Sequence, residues 1–592
     1  MEREKAKKGN LFFRLTAPGL LLLLPLFAYP LVWCKLVTPD IPFWGDAQAV
    51  TLKVLGVCAA GALLLVPERM KKLWDIPRLR LLTVFAFAGL CVACMQHFLY
   101  GGLPEFICTA GFFFLMPLAG VVYAPELKRL FPLLALLLIL PVAAVTVRSS
   151  LLTGWLGNWN WNFSLIAVIS SVIFFFIPGW SVRKAFLFSV LLPVLLLTGI
   201  SFFYRDLIPR GTFAGIIGAT VCVLLFRNIR PARRWAFALW AGVLTIVLFV
   251  GSTGAVMENI RDSRFQLWRG SWDCVLAHFP LGAGFDRFES VINPFLPEIY
   301  YFTPFAAPRH PHPHNELLSY AASYGLVGVI FFVLLLLLVL QGMRFRDRWG
   351  LWLTWSVLLL AIHGLFDVHL SIPLTGTWFL LGAGAVAGGG ASRPSAAAPS
   401  LTVKGLKTAG VLLLCISAGM SLVSWQANSS LRKARLMLMQ KKPHEAREHL
   451  RKSLRYTTNP AALYLAGAVE LFNFRDPDGA IHYLSQLKSR LGLPHHYHSN
   501  ALLARACAVK GDYAASIDYF DRELVNYPFS ALASGLKLSV LRQAGADSKS
   551  ITEENIRFAA LMKMRGLKPE DFSKLLRNQE LDDAPLKSRD EN

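Results

Sequence analysis

Thirteen stretches of this sequence carry almost no charge and are long enough to cross a membrane as helices, which limits the possible folds more than any other feature. A transmembrane helix needs about 17 to 25 apolar residues to span a hydrocarbon layer roughly 30 Å thick. The sequence therefore predicts an all-α fold, a polytopic bundle of about twelve or thirteen membrane helices. The segments are 15–37, 50–66, 81–98, 105–123, 131–147, 163–179, 185–203, 211–226, 235–251, 317–341, 350–368, 372–389 and 405–424.

Composition agrees with a membrane bundle. Hydrophobic residues make up 55% of the 592 residues and charged residues 16%, whereas a typical soluble domain has about 25% charged residues. Nine cysteines, most of them in apolar runs, are too sparse for a disulfide scaffold. The net charge of +23 comes from short basic clusters between apolar segments. We expect these clusters to set the orientation in the membrane, with no nucleic acid bound.

The basic clusters alternate along the chain, which predicts one orientation. The amino-terminal residues are basic, and no small-residue cleavage site follows the first apolar segment, so we expect a retained helix and a cytoplasmic start. The predicted inner connections are all basic and the outer ones almost free of lysine and arginine. The predicted parts are nine helices in 1–251, a long outer catalytic loop in 252–316, four helices in 317–424 and an outer domain in 425–592.

Two predicted outer connections break this charge pattern. One is a short turn with Arg205 and Arg210, and the other is the loop 252–316. Cationic groups kept outside, next to a membrane, suggest an anionic ligand there, although local pairing with aspartates is the alternative. The arginines of the loop are Arg261, Arg264, Arg269, Arg287 and Arg309.

The segment after Trp425 is charged and has helical periodicity, which predicts a soluble domain. A short motif that begins near Ala446 recurs near Ala480 and Ser516, at steps of 34 and 36 residues. This spacing is typical of tetratricopeptide-like helical hairpins. Stacked hairpins leave a concave face, so we expect this domain either to bind a protein partner or to act as a spacer.

The sharpest local pattern is RHPHPHNE at 309–316, directly before the tenth predicted helix. The prolines keep the chain extended, so His314 should lie at the helix entrance. A histidine there is suited to accept a proton from a hydroxyl, while Asn315 or Glu316 orients the ring or caps the helix. A metal held by His310, His312 and His314 is the alternative, although alternating histidines alone are a weak ligand pattern.

Four motifs in this order resemble the O-antigen ligase and polymerase superfamily of bacterial inner-membrane glycan-transfer proteins. They are Arg210-Gly211 opening a helix, RxxxW at 264–268, HxPxGxG at 278–284, and His314-Asn315 before a helix. The resemblance covers 200–390, and the earlier helices are similar in topology. The repeat domain is similar to that of members that include O-linked protein oligosaccharyltransferases and some polymerases.

The resemblance implies a type C glycosyltransferase fold in the bacterial inner membrane, with the carboxyl-terminal domain in the periplasm. It implies metal-independent and cofactor-free transfer of a glycan from undecaprenyl diphosphate to an acceptor hydroxyl. The acceptor is a lipid A core sugar for a ligase, a growing chain for a polymerase, or a protein side chain for a protein transferase. The predicted catalytic residues are His314, Arg264 and Arg210, and the predicted substrate-binding residues are Arg205, Arg261, Arg269, Asn315 and Glu316.

Two non-enzymatic alternatives remain at this stage. A flippase or exporter of lipid-linked glycans would also need an arginine-lined outer cavity, and a scaffold would use the membrane part only as an anchor. Transporters place charged residues within the membrane. The most noticeable candidates are His363 and Asp367, which are spaced to share one helix face and either form a structural pair or line a cavity.

Overall fold

The computed structural model describes residues 44–100, 105–127, 159–177, 179–203, 210–231, 263–284, 287–303, 312–345, 347–367, 372–388 and 401–577, with shorter pieces at 130–132, 134–135, 138, 233–234, 310 and 370. Every regular element within these ranges is a helix, which confirms the predicted all-α class.

The helices of the first half coincide with predicted apolar segments, apart from the short charged α2. The predicted segments 15–37 and 235–251, and most of 131–147, lie outside the described residues. The helices are α1 (Trp44–Leu65), α2 (Pro67–Asp75), α3 (Pro77–Tyr100), α4 (Glu105–Val122), α5 (Trp159–Ser171), α6 (Val182–Phe203) and α7 (Arg210–Phe226).

The second half begins with the short helix expected around the RxxxW motif. Single helical turns follow between Phe288 and Phe302, and then come the last apolar helices. The helices are α8 (Ser263–Ala277), α9 (Glu316–Gly342), α10 (Arg348–His363), α11 (Pro373–Ala387) and α12 (Leu401–Met439).

Length and composition let four of these helices cross a membrane, namely α3, α6, α9 and α12. The number rises to six if each of two bent helix pairs counts as one crossing, and α1 with α2 forms one such pair, bent by 92°. These helices are consistent with a multi-pass membrane protein. The predicted count of twelve or thirteen stays a prediction, because α7 and α11 are apolar but short and other segments lie outside the described residues.

Large aromatic side chains fill the centre of the bundle. Phe114 of α4 packs edge-on against Phe331 of α9, with ring centroids 4.8 Å apart. Trp352 of α10 meets Trp378 of α11 in the same way, at 5.8 Å. All four rings are buried. Close side-chain packing is the main force that joins helices in a lipid environment, and these contacts join α4 to α9 and α10 to α11.

A kink in α9 receives the turn at 278–284. Gly325, at the kink, has a φ of 59° and a ψ of −144°. A Cβ atom on Gly325 would lie 1.9 Å from the carbonyl oxygen of Pro280, so only glycine fits there. The backbone N–H of Ala283 donates to the carbonyl of Ala322 at 2.7 Å. The turn therefore docks onto α9 through backbone atoms.

The glycines of the HxPxGxG motif serve this docking. Gly282 and Gly284 have positive φ angles of 80° and 98°, a region that glycine enters without steric cost. Gln96 of α3 joins the assembly, since its Nε2 donates to the carbonyls of Leu281 and Ser323, both at 2.7 Å. The motif thus fastens the loop to α3 and α9, and its glycines have a structural role here.

The carboxyl-terminal part is a stack of helical hairpins. Ala446, Ala480 and Ser516, the first positions of the repeated motif, are each completely buried in α13, α15 and α17 respectively. The repeat therefore places equivalent side chains in the core between hairpins. The helices are α13 (Pro443–Tyr456), α14 (Pro460–Val469), α15 (Pro477–Leu491), α16 (Ser499–Val509), α17 (Tyr513–Asn526), α18 (Ala531–Gln543), α19 (Ser548–Met564) and α20 (Phe572–Arg577).

The hairpin stack packs directly against the segment that follows α8. Phe529, just before α18, contacts Tyr301 and Phe302 with ring centroids 4.8 and 5.7 Å away. The stack and this part of the predicted outer loop therefore lie at the same end of the helical bundle.

Replacing Gly325 with alanine should destabilise the protein by about 1–3 kcal/mol, because alanine is strained at positive φ and its Cβ would collide with Pro280. Gly419→Ala in α12 is the matched control, since a Cβ there meets nothing within 4 Å. Thermal unfolding in detergent should give a lower Tm for the first variant alone. Equal Tm values would contradict the docking of the turn on the kink.

Candidate functional site

The carboxyl end of α10 and the 364–367 turn form the centre of the candidate site. The N–H of Gly364 donates to the carbonyl of Leu360 at 2.9 Å, and the N–H of Asp367 donates to the carbonyl of His363 at 3.0 Å. The chain thus leaves α10 with one further helical turn. His363 and Asp367 are both 1% exposed, so two titratable side chains are buried at this helix end.

His314 lies against the 364–367 turn through its imidazole. Its Nδ1 is 3.1 Å from Oδ1 of Asp367. An ionised carboxylate only accepts hydrogen bonds, so Nδ1–H of the imidazole is the donor. The imidazole is about 29% exposed and the carboxylate 2%. A partly exposed imidazole is therefore held through one ring nitrogen by a buried carboxylate.

The backbone at His314 is in an unusual conformation that its neighbours stabilise. Its φ is 51°, in the left-handed region that a non-glycine residue adopts at some cost. Asn315 caps α9, because its Oδ1 accepts from the N–H of Leu318 at 3.0 Å. The Nδ2 of Asn315 donates to the carbonyl of Leu365 at 2.9 Å. The predicted capping role of Asn315 is thus observed, and it joins α9 to the turn.

Glu316 also binds this turn but lies in the interior. Its N–H donates to the carbonyl of Gly364 at 2.7 Å, and its Oε1 accepts from the N–H of Leu370 at 2.6 Å. The side chain is 2% exposed. Glu316 therefore connects α9 to the chain after α10, and the substrate contact expected for it stays a prediction.

Arg264 reaches the same turn from α8. Its Nη1 donates to the carbonyl of Phe366 at 3.1 Å, one residue before Asp367. The arginine lies on the exposed side of α8, while Leu267 and Ser271 face the interior. The structure thus brings Arg264 and His314 to adjacent residues of one turn, although they are 50 positions apart in sequence.

Arg210 begins α7 at the same end of α10. The next residue, Gly211, packs so closely on α10 that a Cβ would lie 2.5 Å from Nε2 of His363. Arg210 is exposed, and within the described part of the chain no carboxylate pairs with it. An exposed guanidinium at the amino end of a helix adds to the positive end of the helix dipole, so this position favours an anion.

A buried polar chain links α7 to α5 and α10. Nδ1 of His363 is hydrogen-bonded to Oγ of Ser164, and that hydroxyl is 3.1 Å from Oγ1 of Thr212. All three side chains are buried. The sequence predicts that His363 and Asp367 either pair with each other or line a cavity. In the structure, His363 contacts Ser164 and Asp367 contacts His314. Each contact connects the end of α10 to another segment of the site.

The other two histidines of the 309–316 pattern have different surroundings. Burial, and then the neighbouring ring of His314, lower the pKa of His312 to about 3. His312 is therefore neutral near pH 7 and a poor proton acceptor. His310 is buried with its ring edge-on to Tyr300, at 5.0 Å between centroids. Among the residues that the structure describes, no three His, Cys, Asp or Glu side chains are grouped to share a metal ion.

Of the remaining predicted arginines, Arg269 is described and lies on a different side of α8 from Arg264. Arg269 is exposed on α8, five residues after Arg264, which places it about 140° further round the helix. The two side chains therefore leave α8 in different directions. Arg205 and Arg261 lie outside the described residues.

Several contributors to the site and its supports carry little signal in the sequence. Ser164 and Thr212 are hydroxyl residues in apolar helices, where such residues are common. The spacing of His363 and Asp367 is visible, but the partner of each depends on how α5, α7 and α9 pack. Gln96 in α3 is followed by His97 in an otherwise apolar run, and nothing near it in sequence indicates the turn that it binds.

Comparison of the chain with known protein families, with curated proteins and with solved structures finds no match. Any activity assigned to this chain therefore depends on the geometry of the site and on the resemblance of the sequence motifs.

Because the pKa of His312 is low, the stability of the folded protein should fall at acidic pH. Replacing His312 should reduce this loss. An unfolded histidine takes up a proton near pH 6.5, whereas folded His312 does so only near pH 3. Stability should therefore fall as the pH drops below about 6.5 towards 3, because the unfolded state binds the extra proton. The change in Tm between pH 7 and pH 5 should be smaller in His312→Gln than in the wild type.

His482→Gln is the control for this measurement, since His482 is exposed on α15. It should keep the pH dependence of the wild type. If His312→Gln shows the same loss of Tm as this control, His312 is protonated in the folded protein and the account of its surroundings is wrong.

Proposed function

We propose that this protein transfers a glycan from undecaprenyl diphosphate to an acceptor hydroxyl at the outer face of a bacterial inner membrane. The observation that carries the proposal is the meeting of His314, Asp367 and Arg264 at one turn, with Arg210 at the start of the adjacent helix α7. This set combines a base, a group that orients it and two cations. The order of motifs, which resembles the O-antigen ligase and polymerase superfamily, supports the same activity.

Arg210 and Arg264 would bind the diphosphate of the donor. When the bond between the anomeric carbon and the diphosphate oxygen breaks, its electron pair leaves with undecaprenyl diphosphate, and negative charge grows on that group. Guanidinium groups suit phosphate oxygens because they donate two parallel hydrogen bonds. A donor that is already in place when the charge develops is worth about 2 to 4 kcal/mol of barrier.

His314 would activate the acceptor. Its Nε2 takes the proton of the acceptor hydroxyl while the hydroxyl oxygen forms the new bond to the anomeric carbon. Asp367 holds the ring by Nδ1 and stabilises the imidazolium that forms, as a buried carboxylate does in other histidine-based sites. A single displacement of this kind inverts the anomeric configuration, and general-base assistance contributes about 10²-fold or more.

Several features favour a protein in the membrane with the site on its outer face. Four to six apolar helices provide the anchor, and the alternating basic clusters support an outer position for 252–316. The contacts of Phe529 with Tyr301 and Phe302 put the hairpin stack beside the site segment, so a tetratricopeptide-like stack would meet acceptors or protein partners there. The acceptor is a lipid A core sugar, a growing polysaccharide or a protein hydroxyl, and glycan analysis of a deletion strain would separate the three.

A carrier of lipid-linked glycans is the second candidate. The observation that favours it is the buried polar chain of His363, Ser164 and Thr212 among apolar helices, because polar groups inside a membrane often line a transport path. A carrier would move the donor without consuming it. An assay for released undecaprenyl diphosphate therefore separates the two functions, since only the transferase produces it.

Alanine at Arg210 or Arg264 should lower transfer by about 10²- to 10³-fold, because each removes one stabilising contact to the leaving group. Alanine at His314 should lower it by about 10²-fold or more. The measurement is release of undecaprenyl diphosphate by membranes that contain equal amounts of each variant. Transfer close to that of the wild type would remove the residue in question from the site.

Arg227→Ala is the matched control for Arg210→Ala. Arg227 is exposed and directly follows the last residue of the same helix, about 25 Å from Arg210 at 1.5 Å per residue. This variant should transfer at the wild-type rate. Chelation should also leave transfer unchanged, and a loss of activity with EDTA would favour the metal alternative.

Replacing Asp367 with asparagine should reduce transfer by about 10²- to 10⁴-fold while His314 remains present, because the imidazolium loses its negative partner. The same replacement in a His314→Ala background should lower transfer little further, because Asp367 acts through the imidazole. A purely structural role for Asp367 would instead lower activity and Tm in both backgrounds.

A further inference from the structure

A cavity of about 230 Å³ opens at the end of the bundle opposite the candidate site. Helix α9 begins at the site with Glu316 and ends at Gly342, which lines the cavity. Beyond the kink at Gly325, the part of α9 from Leu326 to Gly342 alone spans about 25 Å at 1.5 Å per residue. The cavity is also far larger than the ~15 Å³ that one ordered water requires. It is therefore a separate site with room for a ligand.

Two cationic side chains and an apolar wall line this cavity. Lys72 comes from α2, and Arg344 follows the end of α9. Asp347 is the one carboxylate among the lining residues, so the two cations leave an excess of positive charge. The apolar wall and the rim consist of Leu353, Ala385, Val386, Ala124, Pro125 and Trp349.

Two arginines and one glutamate act on Lys72, so its surroundings within the described residues carry an excess of positive charge. Burial, and then the charges of Arg344 and Arg69, lower the pKa of Lys72. Glu126 opposes this effect, but its Oε1 already pairs with Nη1 of Arg69 at 2.7 Å. Within the described part of the chain, neither Lys72 nor Arg344 forms an ion pair with a carboxylate. An anion between them would relieve the repulsion.

The position of α2 places the cavity at a membrane surface. The chain bends by 92° between α1 and α2, and α2 buries Leu73 while Lys71 and Trp74 are exposed. A short helix with one apolar side and exposed lysine and tryptophan is suited to lie along the headgroup layer. The cavity therefore opens where lipid phosphates occur, with apolar side chains on its inner wall.

We propose that this cavity binds the phosphate of an acidic phospholipid headgroup. Lys72 and Arg344 contact the phosphate oxygens, and the wall of Leu353, Ala385 and Val386 packs against the glycerol and the first part of the acyl chains. Acidic headgroups are attracted to clusters of lysine and arginine at a membrane surface. The bound lipid would connect α2 to the junction of α9 and α10. This site is independent of the proposed transfer reaction.

Native mass spectrometry of the full chain in detergent tests this site with phosphatidylglycerol as the probe. The wild type should retain phosphatidylglycerol in preference to phosphatidylcholine. The double variant Lys72→Gln/Arg344→Gln should retain at least about tenfold less phosphatidylglycerol than the wild type. The control Lys71→Gln/Lys404→Gln removes the same charge from exposed positions near this end, and it should retain the lipid like the wild type.

Three results would overturn the proposal. Equal retention of phosphatidylglycerol by both double variants would show that net charge, and not the cavity, holds the lipid. Equal retention of the two lipids by the wild type would show that the phosphatidylglycerol headgroup is not recognised. Displacement of the lipid by millimolar inorganic phosphate would show that the cavity takes a free phosphate or a soluble phosphate ester.

Discussion

The contact between the imidazole of His314 and the buried carboxylate of Asp367 determines how the candidate site is arranged. The backbone on both sides is fastened by other bonds, because the N–H of Glu316 binds the carbonyl of Gly364 and Asn315 caps α9. The orientation of the ring depends on Asp367 alone among these contacts. The same turn also receives Arg264, so a single short segment after α10 positions both the base and one cation.

The hairpin stack is connected to this segment through aromatic rings. Phe529 packs on Tyr301 and Phe302, and the neighbouring Tyr300 packs on His310. These contacts place the stack next to the chain that leads into His314. The stack therefore lies close to the segment that carries His314.

Sequence patterns predicted the helices well, because apolar runs and helical periodicity are local properties. The position of His314 at a helix entrance and the cap by Asn315 also follow from local rules, since proline excludes helix before them. The partner of His314 could not be predicted, because Asp367 meets it only after α9 and α10 pack together. The burial of Glu316 is likewise not predictable, because the sequence alone does not distinguish a carboxylate near a helix start in water from one in a packed interface.

The most direct test of the account is a cryo-EM map of the protein in lipid nanodiscs with undecaprenyl diphosphate bound. The account predicts density for the diphosphate between Arg210 and Arg264, on the side that Nε2 of His314 faces. Density for the diphosphate at the other end of the bundle, beside Lys72 and Arg344, would contradict it.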